Sequence, residues 1–162
     1  MRHAKSDWHR HTADIDRPLN DRGVHDAIQM GSYLKKIDLM PDKMIVSPAQ
    51  RTQETASLLL NNLNMVDANL IIDKELYLAE KEVLCDIIEL YAKDNQRLLI
   101  LAHNPGMDYL VSYLSRESPK LSANGSLMTT CAVAYFHIDS CDDLRHQGKA
   151  DLRKLIRPKE VF

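Results

Sequence analysis

Leu98-Leu99-Ile100-Leu101-Ala102-His103-Asn104-Pro105-Gly106 runs five apolar residues straight into an imidazole and a turn. A run that short, apolar at every alternating position, is what a strand covered by helices on both faces requires, and it is expected in the middle of a sheet. Met44-Ile45-Val46, closed by Ser47-Pro48, is a second such run, and Leu70-Ile71-Ile72 is a third. Helical periodicity fills the intervals. Val24, Ala27, Ile28, Gly31 and Leu34 predict a helix between Leu19 and Ile37, with Asn20 or Asp21 as N-cap. Ala56, Leu59, Leu60 and Leu63 predict one from about Arg51 to Leu63, and Val83, Leu84, Ile87, Ile88 and Tyr91 predict one over Lys81 to Lys93. Gly106 opens a helix that runs to Leu114. After it come a polar loop from Arg116 to Ser126, a β-rich stretch from Thr130 to Ile138, and a strand at Leu152 to Ile156. Strands alternating with helices at this pitch predict a single α/β domain over residues 1–162, a three-layer α/β/α sandwich with a mostly parallel central sheet.

Composition removes competing classes. The 162 residues carry 21 Lys and Arg against 23 Asp and Glu, so the formal charge is 21 − 23 = −2. That balance, without a long basic run, lacks the electrostatic footprint of a nucleic-acid binder. Hydrophobic residues at 44% and charged ones at 27% are ordinary for a globular chain. The apolar runs fall far short of the roughly 18 residues that cross a membrane, so no membrane association is expected. Three cysteines (Cys85, Cys131, Cys141) cannot pair completely within one chain, which favours a reducing, cytoplasmic setting. Cys85, in the apolar stripe of its helix, reads as a small core residue.

Open parallel sheets bind ligands at the carboxyl ends of their strands. The run at Met44–Val46 delivers Ser47-Pro48 and then Arg51 to that edge, and Leu98–Ala102 delivers His103. Arg2-His3 joins them if a strand precedes it. Arginines can grip a phosphoryl group bidentately, and a neutral imidazole can attack phosphorus and hold it covalently. The convergence suggests phosphoryl transfer through a phosphohistidine. Ser47 reads as a cap of the following turn, with Pro48 fixing it. Trp8, the only tryptophan, reads either as a wall of the site or as a packing residue. His3, His9 and His11 lack the companions a metal site needs, so no metal or other cofactor is expected.

Four ordered segments carry a resemblance: Arg2-His3-Ala4-Lys5-Ser6, Asp16-Arg17-Pro18-Leu19-Asn20-Asp21-Arg22-Gly23, Ser47-Pro48-Ala49-Gln50-Arg51-Thr52-Gln53-Glu54-Thr55, and Ala102-His103-Asn104-Pro105-Gly106. Together they resemble the motifs of the histidine phosphatase superfamily, and within it the bacterial phosphohistidine phosphatases of the SixA type. The resemblance implies a phosphoglycerate mutase-like fold, His3 as nucleophile, Arg2 and Arg51 as ligands of the phosphoryl oxygens, and His103 as their stabiliser in the transition state. By the same resemblance a general acid, where the family has one, falls at Glu75, with Glu80 as the alternative. It implies a phosphohistidine-bearing protein or a small phosphorylated molecule as partner. The alternatives are a small-molecule phosphomonoesterase of the same superfamily and a non-catalytic module that binds phosphoproteins. The chain departs from the pattern in having only Met1 before Arg2, where the family has an apolar strand; an upstream start or a shortened chain would each explain this, and a genuine truncation would leave an exposed seam and a poorly held nucleophile. A count from His3 places His9 where phosphate-binding relatives often carry Asn. Arg51, a cation at a helix start, is expected to be neutral or slightly unfavourable for stability without a bound anion.

Overall fold

The computed structural model describes residues 1–9, 12–63, 70–92 and 96–162. Helix α1 (Asp21–Lys36) starts where extended Asn20 accepts the Gly23 N–H through its side chain. Strand β1 (Lys43–Val46) leads into α2 (Gln50–Leu63); β2 (Leu70–Ile72), α3 (Lys81–Tyr91), β3 (Leu98–Leu101) and α4 (Gly106–Leu114) follow. The chain closes with β4 (Val133–His137), β5 (Asp151–Ile156) and a short helix, α5 (Pro158–Val161). The predicted helix at Lys81 is observed to Tyr91; Lys93 lies outside the described residues.

β1 pairs in parallel with β2 on one side and β3 on the other, Ile45 lying opposite both Ile71 and Ile100. β4 and β5 form an antiparallel pair. The alternation of a doubly covered strand is visible residue by residue. Ile45, Ile100 and Ala102 enter a core with α3 and α4, whereas Met44, Val46 and Leu101 enter a second core with α1 and α2. These are the three expected layers, and each buried Leu or Ile contributes roughly 1.5–3 kcal/mol of transfer free energy. The apolar stripe of α1 is rotated from the predicted one: Val24 is 38% exposed, and Gly23, Ala27, Met30, Gly31 and Leu34 are buried. Packing against α2 and the loop after His3, rather than hydrophobicity alone, sets that rotation.

It is β1, not β3, that has a full strand on each side. Among the described residues, the outer edge of β3 meets the first residues of the chain. The Met1 ammonium donates to the Ile100 carbonyl at 2.7 Å, Ala102 N–H to Met1 at 3.1 Å, and His3 N–H to Ala102 at 3.2 Å. Arg2 N–H reaches across to the Ala132 carbonyl at 3.0 Å, so residues 1–3 bridge the two sheets at their upper ends. Below that tie lies an apolar cleft of about 720 Å³ lined by Leu98, Leu99 and Ile100 of β3 and Ala134, Tyr135 and Phe136 of β4. Burial pushes the Met1 amino group down from its ordinary 8.0 to about 5.

Candidate active site

Four segments converge at the carboxyl ends of β1 and β3, and each is held by bonds legible in its own residues. The Arg2–Ser6 loop is stapled from two sides: Ala4 N–H donates to Thr55 Oγ1 of α2 at 3.1 Å, and Lys5 accepts from Asn20 N–H at 3.0 Å. Gly23 is needed here because a Cβ at that position would sit 2.0 Å from the Lys5 carbonyl oxygen. Gly106 plays the same part for α4, where a Cβ would lie 2.0 Å from the Ala79 carbonyl oxygen. Arg51 stands in the first turn of α2, directly after Ser47-Pro48 turns the chain out of β1.

His3 and His103 face one another with ring centroids 5.1 Å apart. His3 Nδ1 lies 2.7 Å from the Ala4 carbonyl and can only donate to it, which leaves the lone pair of the neutral ring on Nε2. Burial pulls the His3 pKa from its ordinary 6.5 to about 3, with the neighbouring His103, Arg51 and Arg2 acting in the same direction. The ring is therefore neutral at physiological pH. His103 is lowered to about 4, by burial first and Arg51 second. Arg51 Nη2, a donor only, lies 3.2 Å from His103 Nδ1, so neutral His103 carries its proton on Nε2 and donates it to Ser47 Oγ at 2.7 Å.

The arginines surround this pair. Arg2 Nη1 is anchored on the Met128 carbonyl at 2.8 Å, while Arg51, 2% exposed, donates through Nη1 to the Asp14 carbonyl at 2.5 Å and through Nη2 to Asp14 Oδ2 at 2.9 Å. The Nε groups of Arg2 and Arg51 are buried and find no acceptor among the described residues. A buried unsatisfied donor costs about 1–3 kcal/mol, and two of them on cations beside a neutral imidazole make a site that rewards an anion. The first turn of α2 adds partial positive charge at the same place.

The structure thus brings Arg2, His3, Arg51 and His103 together. Among the described residues neither Glu75 nor Glu80 bonds to them: Glu75 is exposed on a 3-10 turn (Lys74–Leu76) with its own N–H bonded to Asp73, and Glu80 is the exposed residue preceding α3. The group that this stretch does deliver is Tyr77, whose ring meets His103 edge-on at 5.6 Å. Ser47 has its nearer partner in His103 and only a 3.4 Å contact with the Ala49 N–H, so it serves the imidazole more closely than the turn. Three neighbours escaped the sequence reading. Asp14, on a 3-10 turn (Asp14–Asp16), accepts from Arg51, from Arg17 Nη2 at 2.5 Å and from the Tyr77 hydroxyl at 2.8 Å. Burial raises the Asp14 pKa, but the bonds from Tyr77, Arg17 and Arg51 outweigh it and hold the carboxyl at about 2. Arg17 also donates to Ser6 Oγ at 2.8 Å and lies 3.6 Å above the ring of Trp8, which is 71% exposed. The position of Arg17 inside the Asp16–Gly23 motif was the one available signal. His9 is exposed, its N–H bonded to Asp7, and His11 lies outside the described residues.

Arg51 also corrects the stability expectation. It is not an uncompensated cation, because Asp14 already supplies the anion.

The family model of the histidine phosphatase superfamily, branch 1, matches residues 1–77. An uncharacterized protein of Mycobacterium tuberculosis is 30% identical over 118 residues, covering 73% of this chain and 72% of that protein. Among solved structures, the protein histidine phosphatase SixA complexed with tungstate superposes with a TM-score of 0.81 at 22% identity, over 100% of this chain and 97% of that one. A mycobacterial glucosyl-3-phosphoglycerate phosphatase has the same fold at a TM-score of 0.64 and 15% identity, over 94% of each chain. With its motifs gathered at one sheet edge and its relatives on both counts, this chain belongs to branch 1 of the histidine phosphatase superfamily.

Proposed function

We propose that the protein is a phosphatase working through phospho-His3, and that its substrate is phosphohistidine on a partner protein. The observation that carries this reading is the state of His3: a buried, neutral imidazole with Nδ1 tied to Ala4 and its Nε2 lone pair beside two arginines with spare donors. In the first displacement His3 Nε2 bonds to phosphorus as the bond from phosphorus to the substrate nitrogen breaks. In the second, water attacks phospho-His3, its proton leaves with inorganic phosphate, and neutral His3 returns. Arg2 and Arg51 neutralise the phosphoryl charge, with fixed donors in place of reorganising water.

The state of the carboxyls weighed as proton donors favours a nitrogen leaving group. Of the carboxyls considered, Asp14 is ionised and held by three donors, while Glu75 and Glu80 are exposed. An alkoxide leaving group needs a proton from the enzyme; a phosphoramidate already protonated on nitrogen does not. The open edge, with Trp8 at its rim, suits a substrate presented on a protein surface.

Incubation with a phosphocarrier bearing labelled phosphohistidine tests the reading. Wild type releases phosphate and transiently carries acid-labile label, and His3→Ala does neither. Retention of intact phosphoprotein identifies a binding module, and efficient turnover of phosphate monoesters that depends strongly on Glu75 or Glu80 identifies a small-molecule phosphomonoesterase.

A further inference from the structure

Asp14 holds donors that an anionic substrate would need. Arg51 spends Nη1 on the Asp14 carbonyl and Nη2 on the Asp14 carboxylate, and the same carboxylate draws in Arg17 and Tyr77. A carboxylate that takes three donors over its two oxygens, Arg17 on Oδ1 and Arg51 with the Tyr77 hydroxyl on Oδ2, has a bonding pattern that a phosphoryl group can replace. Its attachment differs from that of the residues it touches. The Arg51 side chain is 2% exposed and that of Arg17 8%, whereas the Asp14 side chain is 44% exposed. Its turn, Asp14–Asp16, contributes no buried residue. The donors are built into the molecule, and the carboxylate rests on them from outside.

We infer that Asp14 is an internal competitor for the phosphoryl clamp, an affinity-setting residue that a phosphoryl group displaces from Arg51, Arg17 and Tyr77. The inference rests on the phosphatase reading above. Displacement hands three donors from carboxylate to phosphoryl oxygens, so Arg17 and Tyr77 join Arg2 and Arg51 as phosphoryl ligands. Competition weakens every phosphoryl ligand by a similar factor. Inorganic phosphate, whose affinity comes from the phosphoryl group alone, is thereby kept weak and leaves readily. A protein-borne phosphohistidine recovers the loss through contacts outside the clamp.

Trp8 supplies a readout independent of turnover, because it is the only tryptophan and Arg17 stacks on it at 3.6 Å. Vanadate and inorganic phosphate are titrated against wild type, Asp14→Asn and Asp14→Glu by Trp8 fluorescence, with melting temperatures taken on the same preparations. Asp14→Asn keeps the size and loses the charge, and should bind vanadate about tenfold or more tightly. Asp14→Glu keeps the charge and should stay within about threefold of wild type. Vanadate binding to Asp14→Asn that is unchanged or weaker, at an unaltered melting temperature, overturns the competition and makes Asp14 a strut for the arginines. Equal tightening in Asp14→Glu overturns it as well, since charge would then be irrelevant. Binding of vanadate to none of the three proteins overturns the phosphatase reading itself.

Discussion

The two ends of the seam between β3 and β4 are built differently. At the upper end, Met1, Arg2 and His3 are threaded through a ladder: Ile100, Ala102, Cys131 and Ala132 each exchange a backbone bond with one of them. Side chains reinforce it, Thr55 holding Ala4 and Met128 holding Arg2. At the lower end the same two strands diverge around the apolar cleft. Directional bonds hold His3 in place over a few residues, while stability is carried elsewhere, in the two cores above and below β1.

The largest expected effect comes from truncating one strand at its two ends. Leu99 and Leu101 point to the same face of β3, but Leu101 is fully buried and Leu99 is half-buried beside the cleft. Leu101→Ala should cost about 2–5 kcal/mol in urea unfolding, and Leu99→Ala about 1 kcal/mol or less. Equal costs would mean that the cleft end is packed as tightly as the site end.

Next in size is Arg51→Lys, which keeps the charge and loses the fork. Turnover should fall about a hundredfold, equivalent to roughly 2–4 kcal/mol of transition-state stabilisation. Arg51→Ala should also lower the melting temperature, since it strands the Asp14 carbonyl and removes a bond to His103. A variant of full turnover and reduced stability would make Arg51 purely structural.

A more gradual effect is expected from pH. Unfolded His3 and His103 take up protons near pH 6.5, and the folded protein refuses them until about 3 and about 4. The unfolded state binds more protons in that interval, so stability is complete above pH 6.5 and is lost as pH falls toward those values. His103→Gln removes one of the two groups and should flatten the acid limb of a melting-temperature profile. An unchanged limb would place the acid sensitivity outside this pair.

Much of this was present in short stretches of chain. β1, β3 and the helices follow from apolar periodicity and from caps such as Asn20, because those forces act between residues three or four apart. His3, Arg51 and His103 were legible because strand ends and helix starts place them at one edge. Asp14 and Tyr77 were not: they are polar residues on irregular turns, 63 positions apart, and no local pattern records that their oxygens meet over Arg51. Nor does periodicity alone show that Ser47 belongs to an imidazole 56 residues away, or that Met1 to His3 stand in for a strand tip. The amino-acid sequence by itself determined the elements, their order and the residue types delivered to the sheet edge, through interactions local along the chain. The clasp on Arg51, the tautomer of His103 and the bond of Ser47 to it were decided only in the tertiary structure, because hydrogen bonds between distant segments are set by how whole layers pack.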